Sequence, residues 1–155
     1  MTDDTFHVER VSADQLHELR RRVLRNDDAA LYHPDSRDED ETSIHYGGFL
    51  GPRLVVSASF FPSAPPMNSS LITYQLRYMA TDFDVQGRGY GARVLAFAED
   101  DLRALGVEQI WANGRDTALG FYESVGWQRV EGSEHLSAET LLPHTVIFKL
   151  LKNDQ

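Results

Sequence analysis

The chain has 155 residues, enough for one domain with a sizeable core, and its hydrophobic share of 41% is that of an ordinary globular protein. Its 24 acidic residues against 15 basic ones give a formal charge of −9, which argues against a nucleic-acid partner, because such binding needs a basic face to displace counterions. With no cysteine, disulfides, thiolate nucleophiles and cysteine-ligated zinc are excluded.

Taken in chain order, Met1–Thr5 is acidic and polar, unlike a secretory start, and no run of about 18 apolar residues follows that could span a membrane. The expectation is a cytoplasmic protein. Ser12 to Arg25 reads as a helix capped by Ser12, with Leu16, Leu19, Val23 and Leu24 on its core side. Arg20, Arg21, Arg22 and Arg25 read as a solvated basic face. The acidic run Asp35–Glu41 reads as a solvated loop; lining an acceptor cleft, it would favour cationic amines. Three strands follow, Ser43–Leu50, Arg53–Phe61 and Leu71–Thr81, as an antiparallel meander. In the third, Ile72, Tyr74, Leu76, Tyr78 and Ala80 are expected on one face. A helix from Gly89 to Leu105 buries Val94, Leu95, Ala98, Leu102 and Leu105 and stops at Gly106. Glu108–Asn113 is a strand, Thr117–Ser124 a short helix, and Trp127–Glu131 and His144–Leu151 are the last strands. The order is that of an α+β domain with a mixed sheet.

The chemistry concentrates in Gln86-Gly87-Arg88-Gly89-Tyr90-Gly91. Three glycines in five residues let backbone approach a ligand, and the turn opens a helix whose first amides lack intrahelical partners. Amides and helix dipole together suit a phosphate group and need no basic side chain. No Gly-Lys-Ser/Thr follows, so this is not a Walker A loop. The glycine spacing and the preceding meander also depart from the dinucleotide-binding fingerprint.

The same six residues match the Q/R-x-x-G-x-G/A motif of the GNAT superfamily of N-acetyltransferases. The preceding Arg77-Tyr78-Met79-Ala80-Thr81 resembles the central strand of that family. Ala118, Phe121-Tyr122-Glu123 and Gly126-Trp127 resemble its downstream signature. The resemblance runs from about Phe6 to Lys152 and implies a single domain over 1–155. It implies a mixed, mostly antiparallel sheet of about 6–7 strands with 3–4 helices, splayed between its fourth and fifth strands. It further implies acetyl-CoA as co-substrate. Backbone near Met79, Ala80 and Thr81 would meet the pantetheine arm. Gln86, Gly87, Arg88, Gly89, Tyr90, Gly91 and Ala92 would cradle the pyrophosphate. Asn113 would make a cofactor contact, although Arg115 stands where many members carry asparagine.

In such a reaction a neutral amine attacks the thioester, a backbone amide steadies the oxyanion, and a phenol can protonate the departing thiolate. Tyr122 is the expected acid. His144 and His45 are the choices for a base, with water as the alternative. Glu123 is expected to face solvent. Arg77 is either a paired structural arginine or a clamp for a substrate carboxylate, and Arg115 is a second substrate-side residue. The six histidines show no metal spacing, so no metal is expected. The expected partner is a small-molecule amine, with neither nucleic acid nor membrane, in a monomer or homodimer. The other classes left open are a catalytically silent acyl-CoA sensor of the same fold and a nucleotide-binding domain of another type.

Overall fold

The computed structural model describes residues 5–151; the acidic start Met1–Asp4 and the expected core limit at Lys152 lie outside the described residues. In chain order the elements are β1 (Phe6–Val11), a 3₁₀ turn (Ala13–Gln15), α1 (His17–Leu24), β2 (Ile44–Leu50), β3 (Arg53–Pro62) and β4 (Thr73–Thr81). A second 3₁₀ turn (Phe83–Val85), α2 (Tyr90–Ala104), β5 (Gln109–Arg115) and α3 (Leu119–Ser124) follow. The chain ends with β6 (Gln128–Arg129), β7 (His135–Leu136) and β8 (Pro143–Leu150). Hydrogen bonding orders the strands β1-β2-β3-β4-β5-β8-β6, with β7 on β8, in a mixed sheet of eight. The chain forms two compact units: 1–62 with 76–102, and 63–75 with 103–155.

In the first unit β1 pairs antiparallel with β2 from Phe6↔Leu50 to Val11↔His45, and β2 with β3 from Ile44↔Phe60 to Leu50↔Arg53. Alternation sends neighbouring β2 side chains to opposite faces. Tyr46 goes to the α2 face, where its ring meets Phe60 and Phe97 and its hydroxyl donates to Asp101 at 2.7 Å. On that face Val94, Leu95, Ala98 and Leu102 of α2 are buried, each worth up to about 1.5–3 kcal/mol for a large side chain. Leu105 falls past the helix end and is exposed. Gly48 is required here: a Cβ would come within 2.8 Å of both Phe6 Cζ and Val94 Cγ2.

The opposite face carries a polar core. His45 and Ser59 pair across β2 and β3, and α1 brings Arg20 onto them. The Arg20 guanidinium is fully buried; it donates to both oxygens of Asp38 at 2.9 and 3.2 Å and to Ser59 Oγ at 2.7 Å. Its plane lies 4.4 Å over the Tyr78 ring. This corrects two expectations. The arginine run is not uniformly solvated, because position 20 falls on the buried stripe of α1. The acidic segment is not a free loop, because Asp38 and the Asp35 side chain fold inward onto arginines.

The second unit is built on β5 and β8, antiparallel from Gln109↔Leu150 to Arg115↔His144, with β6 and β7 added to β8. The first three residues of β4 belong to it and pair in parallel with β5 at Thr73↔Gln109, Tyr74↔Ile110 and Gln75↔Trp111. Trp111 Nε1 donates to Ser63 O at 2.9 Å. Helix α3 packs Leu119 against Ile147, with Gly114 leaving the space: a Cβ there would lie 2.9 Å from Ile147 Cδ1. Gly126, at φ +100°, ends the turn after α3. The expected strand over Trp127–Glu131 shortens to Gln128–Arg129, and Trp127 is buried.

Removing one partner of the Arg20–Asp38 pair strands a buried charge, which typically costs 3–5 kcal/mol. Asp38→Ala is therefore expected to lower the unfolding free energy by about 3–5 kcal/mol in urea titrations. Glu39→Ala and Glu41→Ala, at exposed positions, should stay within about 0.5 kcal/mol of the wild type.

Candidate active site

Between β4 and α2 the chain makes a turn whose backbone is open on one side. Gly87 and Gly89 sit at φ +82° and +84°, a left-handed conformation that glycine adopts without strain. A Cβ built on either would meet nothing within 4 Å. Gln86 Nε2 donates to Thr81 O at 3.0 Å and closes the loop at its base. The first backbone bond into the helix is Arg93 N to Gly89 O, at 3.2 Å. The amides of Gly91 and Ala92 precede it and have no carbonyl within the helix to bond. Tyr90 anchors the first turn, its ring stacked on Phe6 at 4.2 Å between centroids. Open glycine backbone, free helix amides and the positive dipole end fit a diphosphate.

Asp82 fixes where this turn begins. Its Oδ1 caps Phe83 N at 2.9 Å and its own amide donates to Val55 O at 2.8 Å. Arg22 of α1 grips both carboxylate oxygens at 2.7 and 2.9 Å, and Arg53 of β3 adds a contact at 3.0 Å. The Arg22 bonds, with Arg53 behind them and against the cost of burial, push its carboxyl down to about 2. Sequence reading missed Asp82; an aspartate between a strand and a turn, where caps belong, was the only local signal.

Within β4, Tyr78 has φ +61°, a conformation costly for an aromatic L-residue. It interrupts the expected alternation: consecutive Gln75 and Leu76 are both buried. Tyr78 is held on several sides. Its carbonyl accepts from Ser57 Oγ at 2.9 Å, its hydroxyl donates to Asp35 Oδ2 at 2.9 Å, and Phe61 meets its ring edge-on. Burial works to raise the Asp35 carboxyl, yet hydrogen bonds from Arg37 and Tyr78 hold it well below the carboxylate range. Met79, Ala80 and Thr81 continue the strand to the turn, with Ala80 buried and its two neighbours partly exposed.

Of the remaining expected residues, Arg77 and His45 are also in the first unit. Arg77 lies 4.7 Å over the Tyr78 ring and 3.5 Å from Asp35 Oδ2. His45 is buried, which lowers its basicity. Its Nε2 lies 2.9 Å from Asp38 O, an acceptor, so Nε2 carries the proton, and Nδ1 takes a bond from Ser59 Oγ at 2.7 Å. Both ring nitrogens are occupied.

The second unit carries Asn113, Arg115, Tyr122 and His144. Tyr122 is 8% exposed, edge-on to Trp127 and Phe121. Burial pushes its phenol above the usual range, opposed by the charge of Arg115, so the hydroxyl stays protonated at neutral pH. His144 Nδ1 lies 2.8 Å from Leu142 O and must donate there, so in the neutral imidazole the lone pair is on Nε2. Asn113 is exposed on β5. Glu123 is exposed and paired with Arg129 at 2.7 Å.

The model of the acetyltransferase (GNAT) family matches residues 12–127. The chain belongs to this family. It is an acetyltransferase, with the α+β fold and mixed sheet that the glycine turn and the Tyr122 segment had implied. It is 29% identical over 150 residues to the N-acetyltransferase YitI of Bacillus subtilis (strain 168), itself uncharacterised, covering 97% of this chain and 99% of that one. Among solved structures, an aminoglycoside 6'-N-acetyltransferase complexed with coenzyme A superposes with a TM-score of 0.73 at 14% identity, over 96% of this chain and 99% of that one. The ribosomal-protein-S18-alanine N-acetyltransferase of Escherichia coli gives 0.70 at 16%, over 97% and 96%.

A carboxyl lowered by folding stabilises the native state above its unfolded pKa, and that contribution is lost as pH falls through the folded value. For Asp82 the window runs from about 4 down to about 2. Asp82→Asn is expected to cost on the order of 2 kcal/mol near neutrality. Its stability should then fall less steeply than wild type between pH 4 and pH 2 in urea titrations; parallel curves would refute the clamp.

Proposed function

We propose that the chain transfers an acetyl group from acetyl-CoA to a primary amine by direct attack of the amine on the thioester. The observation that carries this reading is the open turn at Gly87 and Gly89 ahead of α2. The amides of Arg88, Gly89, Gly91 and Ala92 would hold the pyrophosphate, with Gln86, Gly87 and Tyr90 shaping the loop. Backbone of Met79, Ala80 and Thr81 would receive the pantetheine arm as a strand receives a partner. When bound, acetyl-CoA supplies an acyl group activated as a thioester; the chain's own residues move the protons.

Tyr122 donates a proton to the departing thiolate. Its phenol is protonated at neutral pH, as a general acid must be before it gives up its proton, and the charge of Arg115 works against the upward push of burial. His144 takes the proton from the attacking amine through its Nε2 lone pair. His45 is assigned to structure, because neither of its nitrogens has a lone pair or proton to spare.

Calorimetry with acetyl-CoA tests the turn. Gly89→Ala should weaken binding at least tenfold, because a Cβ would stand on the open side where the diphosphate rests. Left-handed alanine costs about 1–2 kcal/mol, so the melting temperature should fall by only about 2–8 °C. No saturable heat from the wild type would end the reading.

Release of free coenzyme A with an amine panel tests catalysis. Tyr122→Phe should lower kcat about a hundredfold with the KM for acetyl-CoA little changed. His144→Asn should lose a similar factor at pH 7 and recover part of it at pH 9, where more of the amine is already neutral. Binding without release of coenzyme A would favour a sensor over an enzyme.

A further inference from the structure

We propose that the acceptor amine carries a carboxylate, and that Arg115 holds it beside His144. The proposal rests on the N-acetyltransferase reading and names the substrate class of that site.

Arg115 is the one arginine among the described residues whose side chain makes no hydrogen bond, ion pair or ring contact. Its counterparts are engaged: Arg10 with Asp101, Arg37 with Asp35, Arg129 with Glu123. In a chain of charge −9 an acid is easily found for an arginine. Asp116, next in sequence, instead accepts from Thr145 Oγ1 at 3.0 Å. Arg115 is half-buried as a residue, and its planar fork matches two carboxylate oxygens.

What stands beside it narrows the ligand further. Arg115 is directly opposite His144 across β5 and β8, and His144 is directly opposite His135 across β8 and β7. Opposed residues of antiparallel strands project to one face, so the three form a row. The two imidazoles lie 6.0 Å apart between centroids. His135 Nδ1 donates to Ser133 O at 2.9 Å as His144 Nδ1 does to Leu142 O, which sets the tautomer: in the neutral imidazole Nε2 is the acceptor of both rings. A permanent cation flanked by imidazoles that can accept through Nε2 is complementary to a zwitterion. The cation takes a carboxylate, and the adjacent lone pair takes an ammonium N–H, the proton that must leave before attack. A polyamine satisfies the acceptors and leaves Arg115 repelled. A simple anion does the reverse.

The test compares an α-amino acid with its own amide, and an aminoalkyl phosphate with its alcohol, by coenzyme A release. We expect kcat/KM for the amino acid to exceed that for the amide at least tenfold. The amide's amine is the less basic of the two, so ionisation works against this preference. Arg115→Gln should abolish the difference while leaving acetyl-CoA affinity and melting temperature as in the wild type, and Arg115→Lys should keep part of it. Equal use of acid and amide, a preference that survives Arg115→Gln, or a stronger preference for the phosphate would each overturn the proposal.

A second readout is independent of turnover. Side-chain NMR signals of His135 and His144 should shift saturably with the amino acid and not with the amide, and the shift should vanish in Arg115→Gln. Absence of that shift overturns the carboxylate site even where acetyl-CoA binds. Absence of acetyl-CoA binding overturns the transferase reading by itself.

Discussion

The glycine turn ahead of α2 has its position because Asp82 is held from three directions. One carboxylate receives Arg22 from α1, Arg53 from β3 and the first amide of the turn itself. Each of these elements was placed for another reason: α1 by Leu16 and Leu19, β3 by its ladder with β2. The clamp turns their separate placements into one fixed origin for the loop. Glycines at 87 and 89 then have the freedom to present amides outward without the loop itself being loose.

The other half of the arrangement is backbone strain held in place by polar packing. Tyr78 occupies a left-handed conformation inside a strand, and such a residue persists only where its surroundings over-determine it. Here Ser57 bonds its carbonyl, Asp35 its hydroxyl, and Arg20 and Arg77 cover its ring. Arg20 is in turn fixed by Asp38, and Asp38 by His45 through its carbonyl. A buried ion pair is a poor source of net stability. Its use here is geometric: it holds one irregular residue of β4 in a conformation the chain would not choose.

What could be read from the sequence was what is local. The glycine spacing, the helix stripe from Val94 to Leu102 and the aromatic segment around Tyr122 each carry their signal within one turn or one helix. Contacts between distant residues left no such trace. Arg20 sits in a run that reads as a solvated basic face, and its partner Asp38 sits in one that reads as a solvated acidic loop; only together do they make a core. Strand β1 escaped notice because an edge strand buries little: of Phe6–Val11 only Phe6 is fully inside. Strand β7 is two residues long, too short for any period. The left-handed Tyr78 had no sequence mark, since alternation assumes the regular backbone that this residue departs from. Arg115 and His144 were visible singly, whereas their shared row depends on a register that sequence does not state.

Gly48 ties a remote strand to the loop. It lies on β2, far along the chain from residues 87–92, yet it admits no methyl group because Phe6 and Val94 already fill that space. Any side chain there would lever α2 off the sheet, and the first turn of α2 carries the amides. A library that randomises residues 86–92 while keeping 48, 6 and 94 constant would thus vary the surface of the loop without moving where it stands. Randomising the strand instead would displace the whole loop while every loop residue stayed the same.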